Sequence, residues 1–480
     1  MNAQAAIALL PLIIVAGVAA IVLVAIAIRR SHSAAFMLTL VGLSVAGASV
    51  ALAGREIPCR ATELLLIDAW ALFYTWLVIS AAFLTVVLSY DYLERCVDRK
   101  EEFYVLILLA TAGSIVLVSS SHLASFFLGL EILSVSLYAL IGYRTSQALS
   151  AEAAVKYLIL GGASSAFLVF GMALIYADLG TMASATITRL VAGGEYSLLT
   201  AAGLGLLLVS IGFKMALVPF HLWIADVYQG ASPPAAAFIA SVSKGAVAAL
   251  LVRYFMPAAS THNTLWYFLA VVAIASMFAG NLLALFQTNV KRILAYSSIA
   301  HMGYLLVAFL AGGQLGGAAV TYYLAAYFVT IIGAFGVISM LSSPARDADT
   351  LGDYAGLAST RPWLAGAFTI MLLSLAGIPL TAGFIGKFFV LYAGLGGHLR
   401  ALSVILVINS AIGLFYYLRI VLTLYVPSAA PTTPVVERLA PTAVLAATAL
   451  CILTLLLLFL GVWPSPLTAA AQAVGASLLR

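Results

Sequence analysis

Ionisable side chains inside long apolar stretches are the features of this sequence most suited to chemistry. Four of its six lysines, Lys156, Lys214, Lys244 and Lys387, occupy such stretches, and Glu131 is the only acidic residue near the centre of one. A charge inside hydrocarbon is costly, so an intramembrane ionisable residue by default marks a path for ions or protons. An amine and a carboxylate about 4 Å apart attract by roughly 4 kcal/mol at an effective dielectric near 20, so opening or closing their contact loads or unloads a proton.

These residues together predict a horizontal proton relay. Glu131, Lys214, Lys244 and Lys387 are its main members, and Lys156 is a secondary candidate because it lies near the end of its stretch. Three alternatives stay open: lysine stems that reach the membrane surface, a static ion pair at the glutamate, and a structural lysine bound to carbonyl groups. Residue types alone do not separate protons from sodium or hydroxide.

Two of the lysines lie beside residues that interrupt a helix. Lys214 precedes Pro219 in "GFKMALVPFHLW", and Lys387 follows Gly377 and Pro379 in "AGIPLTAGFIGKFF". Proline removes a backbone donor and clashes with the preceding turn, so each helix is expected to break there. Unwound backbone inside a membrane is tolerated only where protein or water satisfies it, and such breaks are typical of transporters.

Two histidines are further relay candidates. His221 follows the first predicted break, and His301 lies in "AYSSIAHMGYLL". An imidazole exchanges protons near neutral pH and suits a chain of water molecules. The alternative for each is a packed side chain that serves only as a hydrogen-bond partner.

The whole composition is that of a polytopic membrane protein. The 480 residues are 64% hydrophobic and 8% charged, with a mean hydropathy of +1.15, far from soluble globular usage. Apolar stretches of about 20 residues, long enough to cross the hydrocarbon core as helices, follow one another. We predict an all-α fold of fourteen spans: 3–28, 34–53, 66–90, 102–120, 122–142, 151–178, 197–218, 233–256, 264–286, 297–311, 316–342, 363–395, 401–426 and 440–463.

The charges orient these spans. Loops after odd-numbered spans carry twelve basic residues, and loops after even-numbered spans with the C-terminus carry six. By the positive-inside rule the odd loops are cytoplasmic and both termini lie on the periplasmic face. The net charge of +5 is explained by this bias, so no nucleic-acid partner is expected.

A pattern that occurs twice predicts an inverted repeat. "AVKY" at 154–157 with "FG" at 170–171 recurs as "AVTY" at 319–322 with "FG" at 335–336. The copies fall in the sixth and eleventh spans, which must cross the membrane in opposite directions. The predicted organisation is an N-terminal three-helix segment (1–101), a first repeat (102–256), a second repeat (264–426), and a last helix with a short tail (427–480).

The cysteines offer no redox or metal site. Cys59, Cys96 and Cys451 are scattered, with no CxxC pair, so neither an iron–sulfur cluster nor a zinc site is expected in this chain. Any redox chemistry must lie elsewhere.

Five stretches resemble the N-type antiporter-like membrane subunits of bacterial proton-pumping NADH:quinone oxidoreductase, respiratory complex I. They are "EEFYVLILLATAGSIVLVSSSHLASFFLGLEI", "EAAVKYLILGGASSAFLVFG", "GFKMALVPFHLWIADVYQGASPPAAAF", "NLLALFQTNVKRILAYSSIAHMGYLL" and "SLAGIPLTAGFIGKFFVL". The resemblance spans roughly residues 65 to 425. Within the third stretch, Ala225 and Ala235 replace the proline and valine that are usual there.

The resemblance implies fourteen helices, with helices four to eight and nine to thirteen as inverted repeats and helices seven and twelve broken. It makes Glu131 and Lys214 a coupled pair, Lys244 the connecting lysine and Lys387 the terminal lysine at the exit half-channel. M-type subunits would carry glutamate at the last position.

The resemblance also implies the setting of the chain. The expected location is the bacterial inner membrane, with M-type and K-type membrane subunits and the lipid bilayer as partners and the peripheral arm as an indirect one. The chain itself is expected to hold no cofactor, while FMN, iron–sulfur clusters and quinone belong to partner subunits. Two alternatives remain: a subunit of an Mrp-type cation/proton antiporter or membrane-bound hydrogenase, and an inert scaffold.

Overall fold

Long apolar helices make up most of the molecule. The computed structural model describes residues 3–193, 196–259, 264–426 and 441–478. Within them, twelve helices are long and apolar enough to cross a membrane, and three shorter apolar helices cover Glu102–Val118, Pro362–Ala376 and Ala382–Gly396. If the last two are counted as one broken helix, the total is fourteen. The predicted helical membrane fold is confirmed, but its exact number of spans is not.

The N-terminal segment contains four helices and a two-stranded antiparallel hairpin. These are α1 (Ala3–Ala8), α2 (Leu10–Ile28), α3 (His32–Ala53), β1 (Cys59–Thr62), β2 (Leu65–Ile67) and α4 (Ala69–Cys96). Strand β1 pairs Cys59 with Ile67 and Arg60 with Leu66. The sequence predicted three helices here and missed the hairpin.

The next helices cover the segment predicted as the first repeat. They are α5 (Glu102–Val118), α6 (Leu123–Ile141), α7 (Ala148–Leu179), α8 (Ser184–Gly193), α9 (Leu198–Met215), α10 (Ile224–Gly230), α11 (Pro233–Phe238), a π-helical turn (Ile239–Ser243) and α12 (Lys244–Ala259).

The remaining helices cover the second predicted repeat and the C-terminal part. They are α13 (Thr264–Leu285), α14 (Val290–Ala311), α15 (Gly313–Leu341), a 3-10 turn (Leu351–Tyr354), α16 (Leu357–Thr360), α17 (Pro362–Ala376), α18 (Ala382–Gly396), α19 (Arg400–Tyr425), α20 (Pro441–Val462) and α21 (Ser465–Ser477). Helix α14 begins seven residues before the predicted span 297–311, and α21 occupies the predicted short tail. Arg438 and Arg480, which the charge count includes, lie outside the described residues.

Both predicted breaks have the same local form. Ala216 (φ 57°) follows α9 and Gly377 (φ 83°) follows α17, each in the left-handed conformation. The next amide then bonds back to a carbonyl five residues earlier, at 2.8 Å in the first break and 3.0 Å in the second. This arrangement satisfies carbonyls of the last helical turn, and Pro219 and Pro379 lie in the non-helical segments that follow.

The helices divide into a buried centre and an outer layer. Nearly all of Pro233–Met256 and most of α14 and α15 are buried, whereas fewer than half of the residues of α2, α3 and α20 are fully buried. A helix that is apolar on all sides and still exposed is suited to contact with lipid. Of the ionisable side chains described next, Lys244 and His301 lie in this buried centre.

Candidate functional site

The first buried amine is that of Lys214, in the last turn of α9. Its side chain is 1% exposed. Nζ donates to Ser134 Oγ at 2.7 Å and to Tyr157 OH at 3.3 Å, and it lies 4.9 Å from the centre of the Tyr157 ring. The ring face adds a cation–π contact, so the surroundings of this amine are polarisable and uncharged.

Glu131 does not touch this amine. Its carboxylate accepts a hydrogen bond from Ser165 Oγ at 2.5 Å. Among the described residues, the carboxylate of Glu131 and Lys214 Nζ are more than 4.0 Å apart and form no ion pair. Ser134 lies three residues after Glu131 on α6. Its hydroxyl binds the amine of Lys214 where the sequence predicted a direct contact with Glu131.

Lys244 is a second enclosed amine. It follows the π-helical turn Ile239–Ser243 and is 1% exposed. Nζ donates to Ser298 Oγ at 2.6 Å, and Ser298 also accepts from Tyr327 OH at 2.8 Å. Such π-helical turns occur often at functional sites, and here the turn ends directly at the lysine.

His301 lies one turn after Ser298 on α14. Its Nδ1 and Nε2 atoms lie 2.7 Å from Tyr323 OH and 3.2 Å from Tyr417 OH. Its ring packs against Tyr327, which donates to Ser298 beside Lys244. It also packs against Tyr304, whose ring centre lies 5.3 Å from Lys387 Nζ. A cavity of about 10 Å³ borders the ring, which is close to the space needed for one water molecule. The histidine therefore connects the surroundings of the two lysines.

Lys387 occupies the second break. Its side chain is 8% exposed, and Nζ donates to the carbonyl of Ala376 at 2.7 Å and to Ser410 Oγ at 2.9 Å. Ala376 ends α17, where the helix dipole places partial negative charge that favours a cation. An open cavity of about 260 Å³, lined mainly by apolar side chains of α18 and α19, borders the amine.

The conformation of Gly377 fits this lysine closely. Its φ of 83° suits glycine, and a Cβ there would lie 2.7 Å from Lys387 Cδ. We expect Gly377→Ala to lower the stability of the folded protein by about 1 kcal/mol, since the strain must be relieved by moving the break or the lysine. The measurement is the thermal unfolding of the detergent-solubilised protein. Gly366→Ala, where a Cβ would meet nothing within 4 Å, is the matched control, and equal unfolding temperatures for both variants would contradict the expectation.

The partners of the lysines fall into two groups. Lys214, Lys244 and Lys387 each donate to a serine hydroxyl, at 2.6–2.9 Å. The other three lysines of the chain each form an ion pair with a carboxylate, at 2.6–2.9 Å: Lys100 with Glu94, Lys156 with Glu152 and Asp226, and Lys291 with Asp347. A hydroxyl accepts from an ammonium and donates to a neutral amine, so the first group keeps a hydrogen bond in either protonation state.

The sequence did not single out these three serines. Ser134 and Ser298 each lie three residues from a predicted relay residue on the same helix, at positions that share a helix face. That spacing is a usable signal for both. Ser410 could not be identified from the sequence, because it contacts Lys387 only through the packing of α19 against the second break.

Two secondary candidates lie apart from this series. The side chain of Lys156 is 43% exposed and binds carboxylates, and Arg292 joins the same cluster through Asp226 at 2.8 Å. His221 follows the first break, and its buried Nδ1 atom has no hydrogen-bond partner among the described residues. Within the same residues, no group of three His, Cys, Asp or Glu side chains is placed to hold a metal ion.

Known proteins share both the sequence and the fold. A family model described as NADH:quinone oxidoreductase/Mrp antiporter, TM, matches residues 120–413. NADH-quinone oxidoreductase subunit N of Methylococcus capsulatus is 47% identical over 479 residues, covering 99% of this chain and 96% of that protein. A chain in the structure of respiratory complex I from Thermus thermophilus with bound aureothin is 33% identical, with a TM-score of 0.82, and the match covers 96% of this chain and 99% of that one.

More distant structures share the fold alone. A chain of the Mrp complex from Dietzia sp. DQ12-45-1b has a TM-score of 0.86 at 22% identity, covering all of this chain and 98% of that one. A chain of the archaeal membrane-bound sulfane sulfur reductase has a TM-score of 0.84 at 23% identity, covering all of this chain and 99% of that one.

Proposed function

The chain belongs to the family of NADH:quinone oxidoreductase/Mrp antiporter membrane proteins, and from this premise we propose that it moves protons through its buried amines. It is a homologue of the antiporter-like subunit N of NADH:quinone oxidoreductase. The observation that supports the proposal is that the lysines divide into two groups by their hydrogen-bond partners. The three buried in the centre bind hydroxyls, which tolerate both protonation states, whereas the others bind carboxylates, which hold an amine charged.

The proposed relay runs from Glu131 through Lys214 and Lys244 to Lys387. Ser134 and Ser298 bind the first two amines. Between the last two, His301 packs against Tyr327, the partner of Ser298, and against Tyr304, which borders Lys387. Each amine takes up a proton when its neighbour releases one, because two adjacent ammonium groups repel each other in a medium of low dielectric. The open cavity beside Lys387 is the proposed exit side.

The energies are of matching size. Moving one charge against 100 mV requires about 2.3 kcal/mol. A change of two pKa units on one amine corresponds to about 2.7 kcal/mol. A change of two units in the pKa of a single lysine is therefore of the size needed to move one proton.

In this proposal the chain is the proton-translocating part of a larger enzyme. Electron transfer from NADH to quinone takes place in partner subunits that hold FMN, iron–sulfur clusters and quinone, and no redox centre belongs to this chain. M-type and K-type membrane subunits are the proposed neighbours. Both termini are placed on the periplasmic side, and 102–256 and 264–426 are proposed as repeats of opposite orientation.

The test of the proposal is a Lys214→Ala variant. We expect pumping and quinone reduction to fall about fivefold at equal amounts of assembled complex, which corresponds to about 1 kcal/mol of barrier. The loss is moderate because the hydroxyls of Ser134 and Tyr157 remain and leave room for water. Dye quenching in NADH-energised inverted vesicles measures pumping.

Lys156→Ala is the matched control, since this exposed lysine is bound to carboxylates. We expect it to pump within about twofold of the unmodified protein. Unchanged pumping by Lys214→Ala in a complex that assembles normally would refute the relay. An Mrp-type antiporter subunit is the weaker alternative, because its supporting structure shares 22% identity and therefore the fold alone.

A further inference from the structure

One buried carboxylate joins elements of both predicted repeats. Asp347, in the segment after α15, accepts from Arg144 Nη1 at 2.9 Å, from Lys291 Nζ at 2.7 Å and from Tyr92 OH at 2.9 Å. The side chains of Arg144 and Lys291 are 3% and 0% exposed, and that of Asp347 is 6% exposed. Two enclosed cations therefore share a single carboxylate.

Backbone carbonyls complete this cluster. Lys291 Nζ also donates to the carbonyls of Gln229 and Ala231, both at 3.0 Å, at the end of α10. Arg144 donates to the carbonyl of Pro344. The cluster consequently holds the half-helix that follows the first break as well as the segment after α15.

The helices that meet at Asp347 also carry the partners of the buried amines. Arg144 follows α6, which carries Ser134, the partner of Lys214. Lys291 lies in the first turn of α14, and Ser298 lies seven residues further along that helix, about 10 Å away along the axis. A shift of either helix would move a serine relative to the lysine that it binds.

We propose that Asp347 is a positioning residue for the relay. By binding Arg144 and Lys291 at the same time, it fixes the ends of α6 and α14, so that Ser134 and Ser298 stay within hydrogen-bond distance of Lys214 and Lys244. This inference rests on the proposed proton relay. Packed helices move as whole units, and a hydrogen bond as short as 2.6 Å between Lys244 and Ser298 does not survive a displacement of about 1 Å.

The test is a double-mutant cycle in the full complex. We expect Asp347→Asn to slow pumping about fivefold at equal assembly and Asp347→Glu to restore at least half of the rate. If Asp347 acts through Ser298, adding Ser298→Ala to Asp347→Asn lowers pumping by less than the product of the two single effects. The same cycle is run with Ser134→Ala. Multiplicative effects in both cycles would overturn the proposal, because a merely structural carboxylate has no coupling to either serine.

Asp349→Asn is the matched control in the same segment. Asp349 accepts from Asn289 Nδ2 at 2.7 Å and lies 4.0 Å from Arg346. We expect this variant to pump within about twofold of the unmodified complex. Normal pumping by Asp347→Asn would overturn the proposal directly.

If Asp347→Asn lowers assembly, a second variant in which the whole cluster is uncharged provides the test. Arg144→Met, Asp347→Asn and Lys291→Met combined leave no unpaired buried charge, and replacing a buried ionic cluster in this way is often tolerated. We expect this triple variant to assemble and to pump slowly. An assembled triple variant that pumps at the normal rate would refute the positioning role.

The same experiments separate the two proposals. Slow pumping by Ser298→Ala and Lys244→Met together with normal pumping by Asp347→Asn would remove the positioning role alone. Normal pumping by Ser298→Ala and Lys244→Met would remove the relay and, with it, the positioning role.

Discussion

Replacing Lys244 with methionine is expected to lower proton pumping at least about tenfold while leaving the amount of assembled complex unchanged. The amine is enclosed and binds Ser298 rather than a carboxylate, so its removal leaves no buried charge without a partner. Ser298 keeps the hydrogen bond from Tyr327 OH, and methionine fills a similar volume. The proton then has no carrier between Lys214 and His301, and crossing an apolar gap costs several kcal/mol.

Lys244→Arg tests what the amine does. Arginine keeps a positive charge but does not release its proton in proteins. A relay therefore predicts slow pumping for Lys244→Arg as well as for Lys244→Met, measured by dye quenching and NADH oxidation in the same vesicles. Normal pumping by Lys244→Arg would mean that a fixed charge is sufficient, which contradicts proton exchange at this position.

The main relay candidates could be predicted from the sequence because each is a local exception. A lysine or glutamate among apolar residues stands out without any knowledge of packing, as Glu131, Lys244 and Lys387 do. The two breaks were visible for the same reason, since proline and glycine act on the backbone of their own segment.

The hydrogen-bond partners could not be predicted in the same way. Serine is common in membrane helices, where it usually bonds to its own helix, as Ser44 does with Leu40 and Ser114 does with Ala110. Which serine faces a lysine depends on the rotation of two helices about their axes. Glu131 and Lys214 make no direct contact for this reason: the rotation of α6 about its axis brings Ser134, rather than Glu131, to the amine.

Elements at the ends of spans were missed for a different reason. Helix α14 begins at Val290, where the side chain of Asn289 accepts from the amide of Arg292 and caps the helix. A span read from apolar residues alone starts after the polar first turn. Helix α21 and the hairpin were missed because they are too short for the window that identifies a membrane span.

The terminal amine leads to the second large expected effect. We expect Lys387→Met to lower pumping at least about tenfold at equal assembly. In the proposed relay, the amine at the end of α17 is the last buried proton carrier before the open cavity. The fold should tolerate the change, since Ser410 Oγ already lies 3.4 Å from the carbonyl of Ala376 and can donate to it. Vesicle pumping and the amount of assembled complex are the two measurements.

Lys387→Glu separates the role of the helix end from that of a titrating group. The carbonyl of Ala376, 2.7 Å from Nζ, and the negative end of the α17 dipole both favour a cation at this place. A carboxylate there is repelled by both, so we expect Lys387→Glu to pump as slowly as Lys387→Met, although glutamate also exchanges protons. Ser410→Ala, which keeps the amine and its carbonyl partner, should lose no more than about twofold. If Lys387→Glu pumped normally, any titrating group would suffice, and the helix end would have no part in setting the charge of the terminal site.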